Sequence, residues 1–492
     1  MIDALLHIAA PWPMFLCLLG VFLGIVVGAI PGFSGTMLIT LTVPLTFTML
    51  DLNAMVLMIS MYVGSVSGGL ISATLLRMPG TPGAIMTVLD GYPMAQRGEA
   101  AKALALGVSA SFVGGMVSWV FLYTLSPTLA IWGAKFGPWE MFSLTVMGLA
   151  LIASLTQGTI LKGLLAAMLG VMVSLPGMDP STGMLRMTFG ITSLSSGFGL
   201  VPVLLGIFVI SQVLQDISKV GKKPEIIEAR GSLFLEAAVW ARQSFNMLRS
   251  SLIGTWVGIL PGVGASVGAI VSYTVAKNSS KTPEKFGTGF EDGIVAAETA
   301  NNATIGGALI PLVTLGIPGS TIDAILIGAL LLHNLQPGPM LFVSHPTLIY
   351  VIIASCLLAN VVMFFMMTGM CRNIARLATI PVHLLLPPIV LCCLLGSLAI
   401  FNSIFDVWVA IGFGVLGYIM SLCKLPHGPF IIGFILASLA EASLRTALMA
   451  SGGSWSAVLE RPVAILFLVV TAGMLYFSLR RELKAKKRGF DV

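Results

Sequence analysis

Four Pro-Gly steps and one run of acids and amides are the residues whose types and spacing could do chemistry in this chain. Two of the steps share a frame, Gly24-x3-Gly28-x2-Pro31-Gly32 and Gly254-x3-Gly258-x2-Pro261-Gly262, with every position displaced by 230 residues (254 − 24, 258 − 28, 261 − 31, 262 − 32). Two more follow them. Gly68-Gly69 leads to Pro79-Gly80-Thr81, and Gly306-Gly307 leads to Pro318-Gly319-Ser320-Thr321, displaced by 238 (306 − 68) and 239 (318 − 79). The drift of eight to nine residues (238 − 230, 239 − 230) is what an insertion in the second half leaves, and the polar run Lys277 to Asp292 is the place for it. Each step is followed by hydroxyls: Ser34 and Thr36 after Pro31, Thr81 after Pro79, Ser266 after Pro261 and Gly264, and Ser320 and Thr321 after Pro318. A hydroxyl at such a point can cap a new half-helix, whose first amides form an anion-binding end. One helix end offers an anion about 0.3 to 1 kcal/mol, and up to about 2 when partly buried. Several converging ends would therefore suit a polycarboxylate without a full set of basic side chains. Capping alone is the plainer role of these hydroxyls, and ligand contact by Ser34, Gly35, Thr36, Pro79, Gly80, Thr81, Gly262, Gly264, Ser266, Pro318, Gly319, Ser320 and Thr321 is the further one.

The run Glu298-Thr-Ala-Asn301-Asn302-Ala-Thr304 puts an acid and two amides on a small-residue helix, where spacings of three and four share a face. Amides inside a bilayer can coordinate a cation or hydrogen-bond a carboxylate, so Asn301, Asn302 and Thr304 are candidates for a coupling cation as well as for substrate. Bonds between helices are the alternative use, and Glu298 has a headgroup-level position as its own alternative. The matching first-half stretch, Tyr62 to Gly69, has small polar residues and neither acid nor amide. The halves thus contribute unequally. Arg77, beside Pro79, fits either a substrate carboxylate or an internal salt bridge. Asp90 and Asp323 could hold a sodium ion or proton but read rather as helix caps, and Glu441 with Arg445 reads rather as a structural i, i+4 pair than as a transport pair.

The elements that must position these residues are membrane helices. With 57% hydrophobic and 9% charged residues among 492, and a mean hydropathy of +1.00, the apolar surface exceeds what one soluble core could hide. Apolar runs of spanning length recur from Met14 to Val463–Leu479, roughly 12 in all. In hydrocarbon an unpaired amide costs several kcal/mol, so irregular backbone is tolerated only inside protein or beside a water-filled cavity. Small-xxx-small spacing by itself often serves helix packing. Breaks placed in corresponding positions of two halves, however, are the pattern of secondary-transporter binding sites.

The N-terminus lacks the basic n-region of a secretory signal, so the first apolar run is expected to be retained as a helix. Basic residues collect in Lys219 to Arg249 and in Arg480 to Arg488, placing both regions in the cytoplasm by the positive-inside rule. The chain thus divides into a first membrane half (1–215), an amphipathic basic linker (216–245), a second membrane half (246–479) and a basic tail (480–492). The six cysteines and five histidines show no metal-ligand spacing, and no phosphate-binding G-x4-G-K-[ST] occurs. An enzyme, an ATPase, an organic cofactor and nucleic-acid binding are not expected.

The sequences Gly28-Ala-Ile-Pro-Gly-Phe-Ser-Gly35, Met78-Pro-Gly-Thr-Pro-Gly83, Leu89-Asp-Gly-Tyr-Pro93, Gly258-Ile-Leu-Pro-Gly-Val-Gly264, Glu298-Thr-Ala-Asn-Asn-Ala303, Gly316-Ile-Pro-Gly-Ser320 and Leu335-Gln-Pro-Gly-Pro339 closely resemble the TctA family, the large membrane subunit of tripartite tricarboxylate transporters. Glu441-x3-Arg445 and Ser451-Gly-Gly453 also look like that family, and the resemblance runs essentially end to end. It implies a bacterial inner-membrane secondary transporter importing citrate or other carboxylates with a sodium or proton gradient. It implies two partners, a small TctB-type membrane subunit and a periplasmic TctC-type solute-binding protein, with homo-oligomer formation open. The expected fold is an all-α polytopic membrane protein in two related halves with broken helices or re-entrant hairpins, elevator-like by analogy. A gradient-independent channel and a non-transporting scaffold are the rival functions; the sequence shows no ring of charge along a pore.

Overall fold

The computed structural model describes residues 1–155, 160–179, 182–217, 227–377, 380 and 382–487. Lys219, Lys222 and Lys223 of the basic linker and Arg488 of the tail lie outside them. Among the described residues the regular structure is helical except for one short antiparallel pairing of Gly177–Met178 with Leu185–Arg186. Among the described residues eight helices are long and apolar enough to cross a membrane, and five shorter apolar helices accompany them. The protein is an all-α, multi-pass membrane protein. The expected twelve or so spanning segments exceed these eight, and the shorter apolar helices include Gly35–Thr46 and Thr321–Leu332.

Two compact units are present, Met1–Leu129 with Asp216–Pro388, and Ala130–Gln215 with Ile389–Val492. Each draws on both sides of the sequence midpoint. The first contains all four of the matched Pro-Gly steps, at Pro31, Pro79, Pro261 and Pro318.

In that first unit, glycine decides which helices can touch. A Cβ on Gly24 would stand 2.5 Å from the Met61 carbonyl oxygen, and one on Gly28 would overlap the Ser65 carbonyl, so helix Pro11–Ala29 closes on helix Asp51–Leu75 only through bare backbone. The second half repeats the contact. Gly254 lies against the Ala300 carbonyl, and a Cβ on Gly258 would be 2.6 Å from the Thr304 oxygen, bringing helix Ala237–Ile259 onto helix Glu291–Leu315. One register requires correction. Gly68 rests on the Ile25 carbonyl and Gly307 on the Thr255 carbonyl, whereas Gly306 packs on Ser118. Gly307 is therefore the counterpart of Gly68, at the offset of 239 (307 − 68) already set by Pro79 and Pro318. The extra length in the second half falls in the polar run as expected, where residues 280–290 connect helices that residues 47–50 join in the first half.

The two central helices are shielded by protein rather than lipid. Asp51–Leu75 is buried along its apolar window, and Glu291–Leu315 is buried continuously from Gly293 to Thr314. The second could not face hydrocarbon with Glu298, Asn301 and Asn302 on it; helices Ala237–Ile259, Gly264–Ser279 and Ile85–Met94 pack around it. Helix Ala237–Ile259 runs without interruption across positions 245 and 246, and Trp240 packs on the cluster of Met94, Ala103, Leu106, Ala110, Met247, Ile294 and Val295.

In the second unit, helix His427–Ala450 packs on helix Ile160–Ser174 through Gly433 and Gly170, each set against opposing backbone. Glu441 and Arg445 do pair, at 2.7 Å. They form half of a larger charge cluster. Arg186 grips Glu441 with two bonds of 2.6 and 2.7 Å, and Arg445 grips Asp179 at 3.0 and 2.6 Å, so the helix is tied to the loop that carries the short strand pair.

Candidate functional site

Each break begins with a loss of helical backbone. Helix Pro11–Ala29 ends at Ile30 and helix Ala237–Ile259 at Leu260, both caps in the same extended conformation, and Gly32 (φ +92°) and Gly262 (φ +76°) then take left-handed angles that favour glycine. The chain restarts as Gly35–Thr46 and Gly264–Ser279. The later breaks restart as a single 3₁₀ turn, Pro82–Ala84, running into helix Ile85–Met94, and as helix Thr321–Leu332. Gly35–Thr46 and Thr321–Leu332 have 12 residues each, about 18 Å of helix, too short to cross the roughly 30 Å hydrocarbon core.

These half-helices pair across the halves. Gly35–Thr46 packs on Thr321–Leu332, and the Pro82–Ala84 turn packs on Gly264–Ser279. The amide of Gly262 donates to the Gly319 carbonyl at 2.8 Å, joining the two breaks of the second half, while Gly80 lies against the Gly28 carbonyl and joins those of the first. Ser34 and Ser320 are the helix caps expected of them: Ser34 Oγ accepts from the Met37 amide at 3.2 Å and Ser320 Oγ from the Asp323 amide at 3.3 Å. Ser320 also meets the Tyr62 hydroxyl at 3.1 Å. Thr81 and Ser266 make no capping bond. Thr81 is buried with its hydroxyl unpartnered against Gly69, and Ser266 stands inside its helix, two residues past the start. Gly35, Gly80, Pro318 and Gly319 are buried; Gly262, Gly264, Thr36 and Thr321 are half-buried, and Pro79 is exposed.

A polar network runs between the halves at the level of Glu298 to Asn302. Glu298 is fully buried, with Oε1 accepting from Thr87 at 2.5 Å and Oε2 from Ser111 at 3.3 Å. Asn302 donates to Ser111 (2.8 Å) and to the Glu298 carbonyl (3.1 Å), and accepts from Ser67 at 2.6 Å. Asn302 is thus committed to holding helices together. Asn301 is not: it is fully buried beside Glu298, pressed against Gly83 where a Cβ would overlap its Oδ1, and neither Oδ1 nor Nδ2 is in hydrogen-bonding geometry. Thr304 gives its hydroxyl to the Asn301 carbonyl at 2.6 Å, within its own helix, so it is spoken for.

The remaining charged candidates separate. Asp90 holds the loop that leads into helix Glu291–Leu315, not a helix end: its Oδ1 accepts the amides of Gly287, Gly289 and Phe290 at 2.8–2.9 Å, while Oδ2 accepts from Tyr273. Asp323 caps nothing either; both its carboxylate oxygens are buried beside the Gly319 and Ser320 amides, outside hydrogen-bonding geometry. Arg77 is exposed, with φ +58° and its guanidinium 5.7 Å from the centre of the Tyr92 ring, and it makes no ion pair among the described residues. Thr87, Ser111 and Tyr273 were missed by sequence reasoning. Their signal is slight, a lone hydroxyl in an apolar helix, and only the packing of distant helices gives it meaning.

A family model for the tripartite tricarboxylate transporter TctA family matches residues 14–432. The chain belongs to that family. The family is one of transporters, not of enzymes. An uncharacterized 52.8 kDa protein in the TAR-I ttuC' 3' region of Agrobacterium vitis is 33% identical over 471 residues, 96% of this chain and 94% of its own length. An uncharacterized protein in the TAR-II ttuC' 3' region of the same organism is 34% identical over 234 residues, 48% of this chain and 97% of its own. No solved structure matches.

Proposed function

We propose that this protein is the large membrane subunit of a binding-protein-dependent secondary transporter in a bacterial inner membrane, importing tricarboxylates or other carboxylates with a sodium or proton gradient. A TctB-type small subunit and a TctC-type periplasmic binding protein complete it. The chain is an internal repeat in this proposal, and the matched glycine contacts of Gly24, Gly28 and Gly68 with Gly254, Gly258 and Gly307 support that. An elevator-like movement belongs to it by analogy alone.

The observation that carries the proposal is the pairing of half-helix starts from opposite halves near a buried, unpartnered Asn301. Short helices that stop inside protein present free amides to an anion. Substrate carboxylates lie between the Pro31 and Pro261 breaks and the Pro79 and Pro318 breaks, met by those amides and by Ser34, Thr36, Thr81, Ser320 and Thr321. Asn301 supplies the one side-chain amide not already engaged. Asn301→Ala is expected to abolish carboxylate uptake into vesicles carrying both partners while leaving the amount of inserted protein unchanged. Uptake at the parental rate would remove Asn301 and this site. Omitting the binding protein, then collapsing each gradient in turn, separates a coupled carrier from a channel, which would pass solute with neither, and from a scaffold, which would pass none.

A further inference from the structure

Three acids are fully buried in the first unit, and their surroundings differ. Asp90 is met by three backbone amides and the Tyr273 hydroxyl, an environment made for a carboxylate anion. Asp323 lies in the first turn of its helix, where the partial positive charge of the free amides favours an anion. Glu298 has neither advantage: it is seven residues into a continuous helix whose own amides are bonded, and no cation reaches it among the described residues. A buried ion without a counter-charge is costly by several kcal/mol, so the group must carry its own neutralising cation.

The hydrogen bonds around Glu298 point to which cation. Ser111 Oγ accepts a hydrogen bond from Asn302 Nδ2 at 2.8 Å and donates its own to Glu298 Oε2, so Oε2 is an acceptor. Oε1 and Thr87 Oγ1 are 2.5 Å apart, too close for a metal ion to stand between them but a normal separation for a shared proton. We infer that Glu298 is the proton-coupling group of the transporter: the ionised carboxylate accepts from Thr87, and on protonation at Oε1 the Thr87 hydroxyl turns to accept instead, so that this proton travels with the carboxylate bound at Asn301 one turn along the same helix. The inference rests on the transport function proposed above and adds the identity of the coupling ion and its carrier.

Other ionisable groups on the surrounding helices are occupied elsewhere. Asp90 on Ile85–Met94 and Tyr273 on Gly264–Ser279 bond each other at the level of Gly293. Lys102 on Ala100–Gly133 and Arg242 on Ala237–Ile259 pair with Glu291 at the helix start, and Arg249 bonds Asn246 and Ser279. Tyr62 on Asp51–Leu75 is turned to Ser320. None neutralises Glu298.

Glu298→Gln keeps the size and the hydroxyl contacts and fixes the neutral form. One proton per turnover lets a one-unit pH gradient sustain about a tenfold accumulation. In proteoliposomes with both partners, the parent is expected to accumulate carboxylate under an imposed pH gradient, with no response to an imposed sodium gradient. Glu298→Gln is expected to lose that accumulation while still exchanging labelled for unlabelled carboxylate, which a misfolded variant would not do. Thr87→Val is expected to keep accumulation but shift its pH dependence. PH-driven accumulation by Glu298→Gln at the parental level, or parental accumulation driven by sodium and indifferent to pH, overturns the inference. Loss of exchange as well as accumulation in Glu298→Gln also counts against it, since the neutral side chain should bind and move substrate. Absence of carboxylate uptake by the parent would instead overturn the transport function itself.

Discussion

Gly28 shows how much rests on a missing side chain. A Cβ there overlaps the Ser65 carbonyl, backbone that cannot swing aside as a side chain would, so the two helices must part. Overpacking of this kind costs typically about 1 to 3 kcal/mol and occasionally more. Gly28→Val is therefore expected to lower the detergent melting temperature markedly. Gly369→Ala, on a helix where an added Cβ meets nothing within 4 Å, is expected to leave stability equal or raise it by about 0.5 to 1 kcal/mol through helix propensity. Equal melting temperatures for parent and Gly28→Val would contradict the close helix contact. The importance of Gly28 was legible in the sequence because its frame recurs at Gly258. The importance of Thr87 and Ser111 was not, because a hydroxyl in an apolar helix looks the same whether it bonds its own backbone, as Thr304 does, or a glutamate nearly two hundred residues or more away.

Breaks were legible at the scale of elements because Pro and Gly act locally, on the backbone at their own position. Which half-helix meets which was not, since Gly35–Thr46 against Thr321–Leu332 is a contact between segments almost three hundred residues apart. The hydroxyls after the breaks divide along the same line. Ser34 precedes a true α-helix and bonds its third amide, so Ser34→Ala is expected to destabilise by about 0.5 to 2 kcal/mol. Thr81 precedes a single 3₁₀ turn and caps nothing, so Thr81→Ala is expected to spare stability while reducing carboxylate affinity. Chemical denaturation and uptake measured on both variants separate the two uses. A loss of stability in Thr81→Ala equal to that in Ser34→Ala, with unchanged affinity, would make Thr81 a structural residue only.

At the scale of the whole molecule, the compact units cross the sequence halves, and this has a consequence for the folding of each half alone. Helix Asp51–Leu75 is buried from Asn53 onward, yet one of its principal neighbours is Pro346–Leu377, and its Ser67 bonds Asn302 while its Tyr62 bonds Ser320. Thr87 and Ser111 of the first half likewise face Glu298 of the second. A fragment of residues 1–217 would leave the hydroxyls of Tyr62, Thr87 and Ser111 without these partners and Ser67 with only the Val63 carbonyl of its own helix, and would bare the flank of helix Asp51–Leu75 that packs on Pro346–Leu377. The fragment 227–492 would hold Glu298 and Asn302 with the same deficit, and a buried polar group without its bond costs about 1 to 3 kcal/mol. Each fragment expressed alone in membranes is expected to be digested by added protease at sites that the full chain protects. Expressed together, the two are expected to regain protection, since the contacts that bury Asp51–Leu75 and Glu291–Leu315 do not pass through the junction. A protease-resistant, monodisperse fragment 1–217 would show that the first half forms its own core. In that event the polar network around Glu298 would be an interface between finished domains, and not the interior of one.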